Sequence, residues 1–255
     1  MDVDLFSARM ESKGERYATG PHMKIALTLA ACCALTANSP AFAKNEWYVE
    51  QGVSGISFQS SSDTTDGGAA FGGGGTVVDP KVNAKPLVSI GFGREFGRHL
   101  SVGISYETVD SAASYRANYK NVSNPSYFGG RTNTDAFMLT ARYSLPIGGD
   151  RSAWDASVAT GAGLAHNTFK NITEGNAPGK ATFLLDPGSK DNFAWHVSGR
   201  LSYRVRPNVA IFGEARYVDL GTFTTGTSRT PGGTIGAYQF NAHGITYGAG
   251  LRLKL

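Results

Sequence analysis

Residues 87–107 read LVSIGFGREFGRHLSVGISYE. They form two alternating runs around the three-residue turn Gly97-Arg98-His99. The first run puts Val88, Ile90, Phe92 and Phe96 on one face. The second puts Leu100, Val102, Ile104 and Tyr106 on one face and Ser101, Gly103, Ser105 and Glu107 on the other. A period of two is the signature of a strand, and a turn this short joins two such strands as an antiparallel hairpin.

The same reading extends in both directions. Towards the N-terminus lies a strand over residues 46–58, in which Trp47, Val49 and Val53 share one parity and Ile56 and Phe58 the other. A bulge at Gly52 or Gly55 would reconcile the two sets. Towards the C-terminus, one strand opposes Phe137, Leu139, Ala141, Tyr143 and Leu145 to Met138, Thr140, Arg142 and Ser144. The next opposes Trp154, Ala156, Val158, Ala162 and Leu164 to Asp155, Ser157, Ala159, Gly161 and Gly163. A sixth opposes Phe193, Trp195, Val197, Leu201 and Tyr203 to His196, Ser198, Arg200, Ser202 and Arg204. A seventh opposes Val209, Ile211, Ala215 and Tyr217 to Glu214 and Arg216. The eighth, at the end of the chain, opposes Ile245, Tyr247, Ala249, Leu251, Leu253 and Leu255 to Thr246, Gly248, Gly250, Arg252 and Lys254.

The connections alternate in length. Long polar ones cover residues 59–85, 110–133, 167–191 and 221–239, and short ones cover 97–99, 146–152 and 206–208. Every segment has about ten residues or more, enough to cross a bilayer as a tilted strand. The expected fold is therefore all-β: an eight-stranded antiparallel up-and-down transmembrane β-barrel with short turns on the periplasmic side and four long loops outside. Trp47, Phe96, Tyr143 and Trp154 near the short turns, and Phe58, Tyr106, Phe137, Phe193 and Tyr217 near the long loops, are expected to form two interfacial aromatic belts.

Composition agrees with that class and excludes others. No run of 18 apolar residues is available for a spanning helix. A 41% hydrophobic content leaves soluble and membrane β proteins both open, because lipid-facing and lumen-facing residues cancel in the average. The charges on the less apolar face decide between them. Glu50, Glu107, Arg142, Asp155, Arg200, Arg204, Glu214, Arg216 and Arg252 would be costly in the core of a soluble barrel. In a membrane barrel that face is the lumen, where such charges can pair. The expectation is a lumen charge network of Glu50, Glu107, Arg142, Asp155, Arg200, Glu214, Arg216 and Arg252. Neighbouring strands suggest Arg142 with Asp155, Arg200 with Glu214 and Glu50 with Arg252. The lumen is then plugged rather than open.

The N-terminus carries an export signal. Met23-Lys24, the apolar run 25–36 and Ala41-Phe42-Ala43 form a signal peptide over residues 23–43, with cleavage between Ala43 and Lys44. Residues 1–22 are an upstream extension that fits no part of it, and residues 44–255 are the barrel domain. Leu29-Ala30-Ala31-Cys32 also resembles a lipoprotein box, but the apolar core before it is short. Both cysteines, Cys32 and Cys33, fall inside the signal, so the mature chain has none. Four of the 24 basic and four of the 20 acidic residues precede Lys44, which leaves 20 and 16, a mild excess of +4. No basic run suggests a nucleic-acid partner.

With the hairpin layout, Trp47-Tyr48, the stretch FGEARYVDLG at residues 212–221 and the alternating C-terminal strand, the chain resembles the small eight-stranded outer-membrane barrels typified by the OmpA transmembrane domain and the opacity surface proteins. The family usually ends in Phe, where this chain ends in Leu255. The resemblance implies the cell outer membrane, contact with its lipid and lipopolysaccharide, insertion by the barrel-assembly machinery, and a monomer. No peptidoglycan-binding domain follows, so cell-wall anchoring is not implied.

The function this suggests is structural or surface-interacting, in the manner of an adhesin or opacity protein. Tyr115, Arg116, Tyr119, Lys120, Tyr127 and Arg131 in the second long loop are the candidate contacts for a host surface, polysaccharide or lipopolysaccharide. The alternatives are a lipid A-modifying enzyme and a small-solute channel. An enzyme needs a nucleophile or activated water beside a base, and none of His99, His166, His196 and His243 has a recognisable partner in the sequence. A general porin needs about 16 strands, more than this chain can supply. No cofactor or metal is expected, since neither clustered His nor a phosphate-loop context occurs.

Overall fold

The computed structural model describes residues 46–59, 64–65, 75–97, 99–119, 124–148, 152–234 and 236–255. Thirteen strands follow in chain order among them: β1 (Trp47–Gln59), β2 (Thr64–Thr65), β3 (Gly75–Ala84), β4 (Leu87–Phe96), β5 (Leu100–Tyr119), β6 (Ser126–Pro146), β7 (Trp154–Gly175), β8 (Phe183–Leu185), β9 (Gly188–Arg206), β10 (Val209–Thr224), β11 (Ser228–Thr230), β12 (Gly233–Thr234) and β13 (Gln239–Lys254). Eight of them close an antiparallel ring, β1-β4-β5-β6-β7-β9-β10-β13 and back to β1. These are the eight strands expected from the alternation. The signal peptide, its Ala43/Lys44 cleavage site and Lys120 lie outside the described residues.

Two levels of the barrel use the same alternation in opposite senses. At the lower level the outward positions are apolar. On β6 these are Phe137, Leu139, Tyr143 and Leu145, at 68%, 59%, 48% and 52% exposure. Phe137 to Leu145 covers about 27 Å along a strand and about 20 Å along the barrel axis at the usual tilt, close to the apolar band of an outer-membrane barrel. Trp47 stacks on Phe92 at 5.0 Å and Trp154 packs on Tyr203 at 4.8 Å near the short turns, where aromatic rings suit a membrane interface.

Above this belt the outward positions become polar in register on β5, β6, β7, β9 and β10. Tyr106, Phe137, Leu164, Phe193 and Tyr217 are followed two residues further up by Thr108, Asp135, His166, Asp191 and Asp219. The inward positions become apolar. Leu87, Val109, Met138, Val218 and Leu220 form one buried cluster, and Tyr115, Phe128, Phe169, Ile172, Phe223, Tyr238 and Phe240 a second. The upper barrel is thus built like a water-soluble one, with burial of apolar area as its driving force.

That inversion corrects three sequence-based expectations. The segments read as long loops are largely strand: β5 runs to Tyr119, β6 starts at Ser126, β7 runs to Gly175, and β9 starts at Gly188. Their alternation exists, but its polarity is reversed, so a template with apolar residues outside misses it. No bulge occurs in β1 either, because its pairing with β13 runs without a shift from Tyr48↔Lys254 to Gln59↔His243. Ile56 and Phe58 instead face inward and pack against the apolar clusters, so Phe58 is no part of an interfacial belt.

One interruption matters later. β3 and β4 both pair with β5 and form a single strand line, broken at Lys85-Pro86. Proline has no N–H for the ladder. Across the break one backbone bond remains, from Lys85 N–H to the Asp110 carbonyl at 2.9 Å.

Candidate functional site

The lower lumen is narrow, and its alternate positions bring side chains from opposite walls together. Glu50 on β1 is the centre. Its Oε2 accepts from Arg142 Nη1 at 3.3 Å, Arg200 Nη1 at 2.9 Å and Arg252 Nη2 at 2.9 Å. Arg200 also reaches Glu214 at 3.1 Å, and Arg142 approaches the same carboxylate at 3.7 Å. Towards the short turns, Arg252 donates to Glu95 at 3.1 Å, and Lys254 bridges Glu95 at 2.6 Å and Glu46 at 2.8 Å. The four carboxylates Glu46, Glu50, Glu95 and Glu214 balance Arg142, Arg200, Arg252 and Lys254 one for one. Aromatic rings hold two guanidinium planes: Arg200 lies 3.6 Å over Phe212, and Arg252 lies 4.1 Å over Tyr48.

One storey higher, Arg216 donates to both oxygens of Glu107, at 2.6 and 2.9 Å. This is the planar fork geometry that favours Arg over Lys. His196 stands beside the pair, 3.5 Å from Arg216 and 3.1 Å from the Thr140 hydroxyl. Small residues make this density possible. A Cβ at Gly161 would collide with the His196 ring, and one at Gly93 with the Tyr48 ring. The cavity left between the two storeys measures about 40 Å³, room for on the order of three waters.

The structure thus gathers Glu50, Glu107, Arg142, Arg200, Glu214, Arg216 and Arg252 in the lumen. Asp155 is not joined to Arg142. It sits at the rim, 3.5 Å from Arg204, because the stagger of the strands carries Arg142 across the lumen to Glu50 instead. Sequence reading overlooked Glu46, Glu95 and Lys254. The parity of Lys254 and Glu95, opposite to Leu253 and Phe96, was the available signal.

The six candidate loop contacts divide. Tyr115 is not at a loop tip: it is 4% exposed and stacks on Phe128 at 4.7 Å inside the upper barrel. Its inward parity on β5 places it there. Arg116 and Tyr127 pair across β5 and β6, and Tyr119 ends β5. Arg131 lies lower, on the outward face of β6, exposed. Arg116 and Tyr127 line a cup of about 520 Å³ at the upper end, together with Lys81, Lys180, Thr173 and Glu174. Glu174 is buried and meets Arg229 at 3.3 Å, which itself lies 4.2 Å over Phe183. With that carboxylate engaged by Arg229, Lys81 and Lys180 add positive charge to the lining of the cup.

The fold also supplies His166 with an acid that sequence distance hid. Its Nδ1 lies 2.6 Å from Asp191 on β9, on the exposed outer surface. Among the described residues no Ser or Thr hydroxyl bonds to His166, so the dyad lacks a nucleophile within reach.

The sequence matches the family of the outer membrane protein beta-barrel domain over residues 25–252. The chain is similar to several solved structures. The outer membrane protein OprG from Pseudomonas aeruginosa is 16% identical, with a TM-score of 0.50 over 83% of this chain and 96% of that one. Neisserial surface protein A is 17% identical, with a TM-score of 0.47 over 82% of this chain and 97% of that one. The attachment invasion locus protein Ail of Yersinia pestis is 13% identical, with a TM-score of 0.38 over 83% and 100%. At these identities the likeness concerns the fold. No curated protein sequence matches the chain.

Proposed function

The chain belongs to the outer membrane protein beta-barrel domain family and resides in the outer membrane, and from that premise we propose that it acts at the cell surface as a non-catalytic binding barrel whose upper cup takes acidic polysaccharide. The observation that carries this reading is the upper barrel itself. Its strands rise well beyond the apolar belt, its interior is packed with Phe169, Phe223 and Phe240, and it presents a positive cup of about 520 Å³ at its end. Cups of a few hundred Å³ suit a saccharide unit or two. Lys81 and Lys180 there offer carboxylate or sulfate groups their usual partners, and Tyr127 offers a ring face to a sugar.

Two features of the interior weigh against a solute channel. The charged storeys leave about 40 Å³ between them, and two apolar clusters stand above them. Water and ions crossing the barrel would have to break both. Catalysis has no comparable support, since among the described residues the His166–Asp191 pair is exposed and no Ser or Thr hydroxyl bonds to it.

The test uses cells displaying the full-length protein. They should be retained on immobilised dextran sulfate and not on neutral dextran. A Lys81→Gln/Lys180→Gln variant, shown to be folded by heat-modifiable gel mobility, should lose most of that retention. Equal retention on the two dextrans would refute the reading.

A further inference from the structure

A second concavity lies on the outer wall, on the lipid side, and the cup does not use it. It is a groove of about 680 Å³ beside the Lys85-Pro86 break. It exists because the strand line is interrupted there and one backbone bond spans the gap. Val88, Ile90 and Tyr106 line its lower part, within the apolar belt, and Lys85, Arg131 and Lys170 line its upper part. The groove therefore straddles the level at which the outward face changes from apolar to polar.

The charges in it are unequal in a telling way. Three cations face two carboxylates, and both carboxylates are held by neutral donors. Asp135 accepts from the hydroxyls of Tyr106 and Thr108, and Asp110 accepts from Asn133 at 2.9 Å. Lys85, Arg131 and Lys170 have no ion-pair partner among the described residues. Arg131 and Lys170 are, moreover, direct register partners on β6 and β7. Like charges opposed across a ladder repel and destabilise it. An anion between them removes that cost and gains two charge-assisted hydrogen bonds. The Thr168 hydroxyl in the same groove is enclosed and lacks a hydrogen-bond partner. A phosphate oxygen would supply one.

We propose that this groove binds a phosphorylated lipid of the outer leaflet, with its phosphate held by Arg131, Lys170 and Lys85 and an acyl chain lying along Val88, Ile90 and Tyr106. The arrangement suits an amphiphile because the cations stand on the headgroup side of the apolar belt, Arg131 and Lys170 six residues beyond Phe137 and Leu164 on their strands. The site is independent of the cup, and either can fail without the other.

The experiment uses the full-length protein purified in an uncharged detergent and mixed with bis-phosphorylated lipid A or the same lipid after phosphate removal. Bound lipid is counted by native mass spectrometry. The wild type should retain the phosphorylated form at least tenfold better than the dephosphorylated one. An Arg131→Gln/Lys170→Gln variant, which relieves a repulsion and should fold, brings the two forms within about twofold. A Lys85→Gln variant lies outside the ladder and should show a smaller loss. Equal retention of both lipids by the wild type overturns the proposal, as does an undiminished preference in the folded double variant. Displacement of the lipid by millimolar inorganic phosphate alone would assign the site to a free anion and overturn it as a lipid site.

Discussion

Neutralising Glu107 should destabilise the barrel more than removing Glu107 and Arg216 together. The two side chains are 5% and 7% exposed and joined by two short hydrogen bonds. Glu107→Met leaves the Arg216 guanidinium enclosed beside His196 with no counter-charge. Breaking a buried pair in this way costs about 3–5 kcal/mol. The neighbouring 40 Å³ cavity can admit a little water, which places the cost at the lower end, about 3 kcal/mol. That is roughly a hundredfold in the folding equilibrium. Arg216→Met leaves the carboxylate in the same position and should cost a similar amount. The double variant removes both charges and both desolvation penalties, and replacement of such a pair by apolar side chains is close to neutral. The coupling energy is then about 6 kcal/mol in magnitude, beyond the usual range for contacting residues. The assay is urea unfolding of the mature chain refolded into thin phospholipid vesicles, followed by tryptophan fluorescence and by heat-modifiable gel mobility. Single variants within 0.5 kcal/mol of the wild type, or a double variant whose cost equals the sum of the singles, would refute the idea that this pair acts as one buried unit.

Three further outcomes follow from the same geometry. Asp155→Ala should lower the unfolding free energy in urea by less than ~1 kcal/mol, since its partner Arg204 is 3.5 Å away and 43% exposed at the rim. Gly161→Ala should cost about 1–3 kcal/mol on the same titration, because its methyl group meets the His196 ring and forces one of them to move; an unchanged midpoint would mean the lumen is looser than drawn. Phe169→Ala empties the centre of the upper apolar cluster and should cost ~3–5 kcal/mol there. Its readout is limited proteolysis, with new cuts in the upper barrel while the membrane-embedded part keeps its heat-modifiable mobility.

The strand count, the turn lengths and the inward placement of the charges can all be read from the chain alone. They depend on the pleat, which sends successive side chains to opposite faces whatever lies beside the strand. Residues 100–107 show this most directly, and every charge expected in the lumen has that parity. The second storey of the barrel was hidden for a related reason. Residues 110–119 and 126–135 alternate as regularly as those below, but their apolar members Tyr115 and Phe128 face inward, and nothing in the alternation itself says which solvent lies outside.

The pairing of the charges depends on the closed sheet. Glu50 meets Arg142, Arg200 and Arg252 across separations of 92, 150 and 202 residues. Parity can put all four inside, but their heights follow from the tilt and stagger that closure imposes, and the register sets Arg142 opposite Ala159 and Asp155 opposite Pro146, four positions apart. The same holds for the outer wall: Arg131 and Lys170 look like two solvated loop charges until the register sets them face to face above the apolar belt. Local backbone geometry decides inside and outside. Height, and therefore which charge has a partner and which is left for a ligand, is decided by the register of strands distant in the chain.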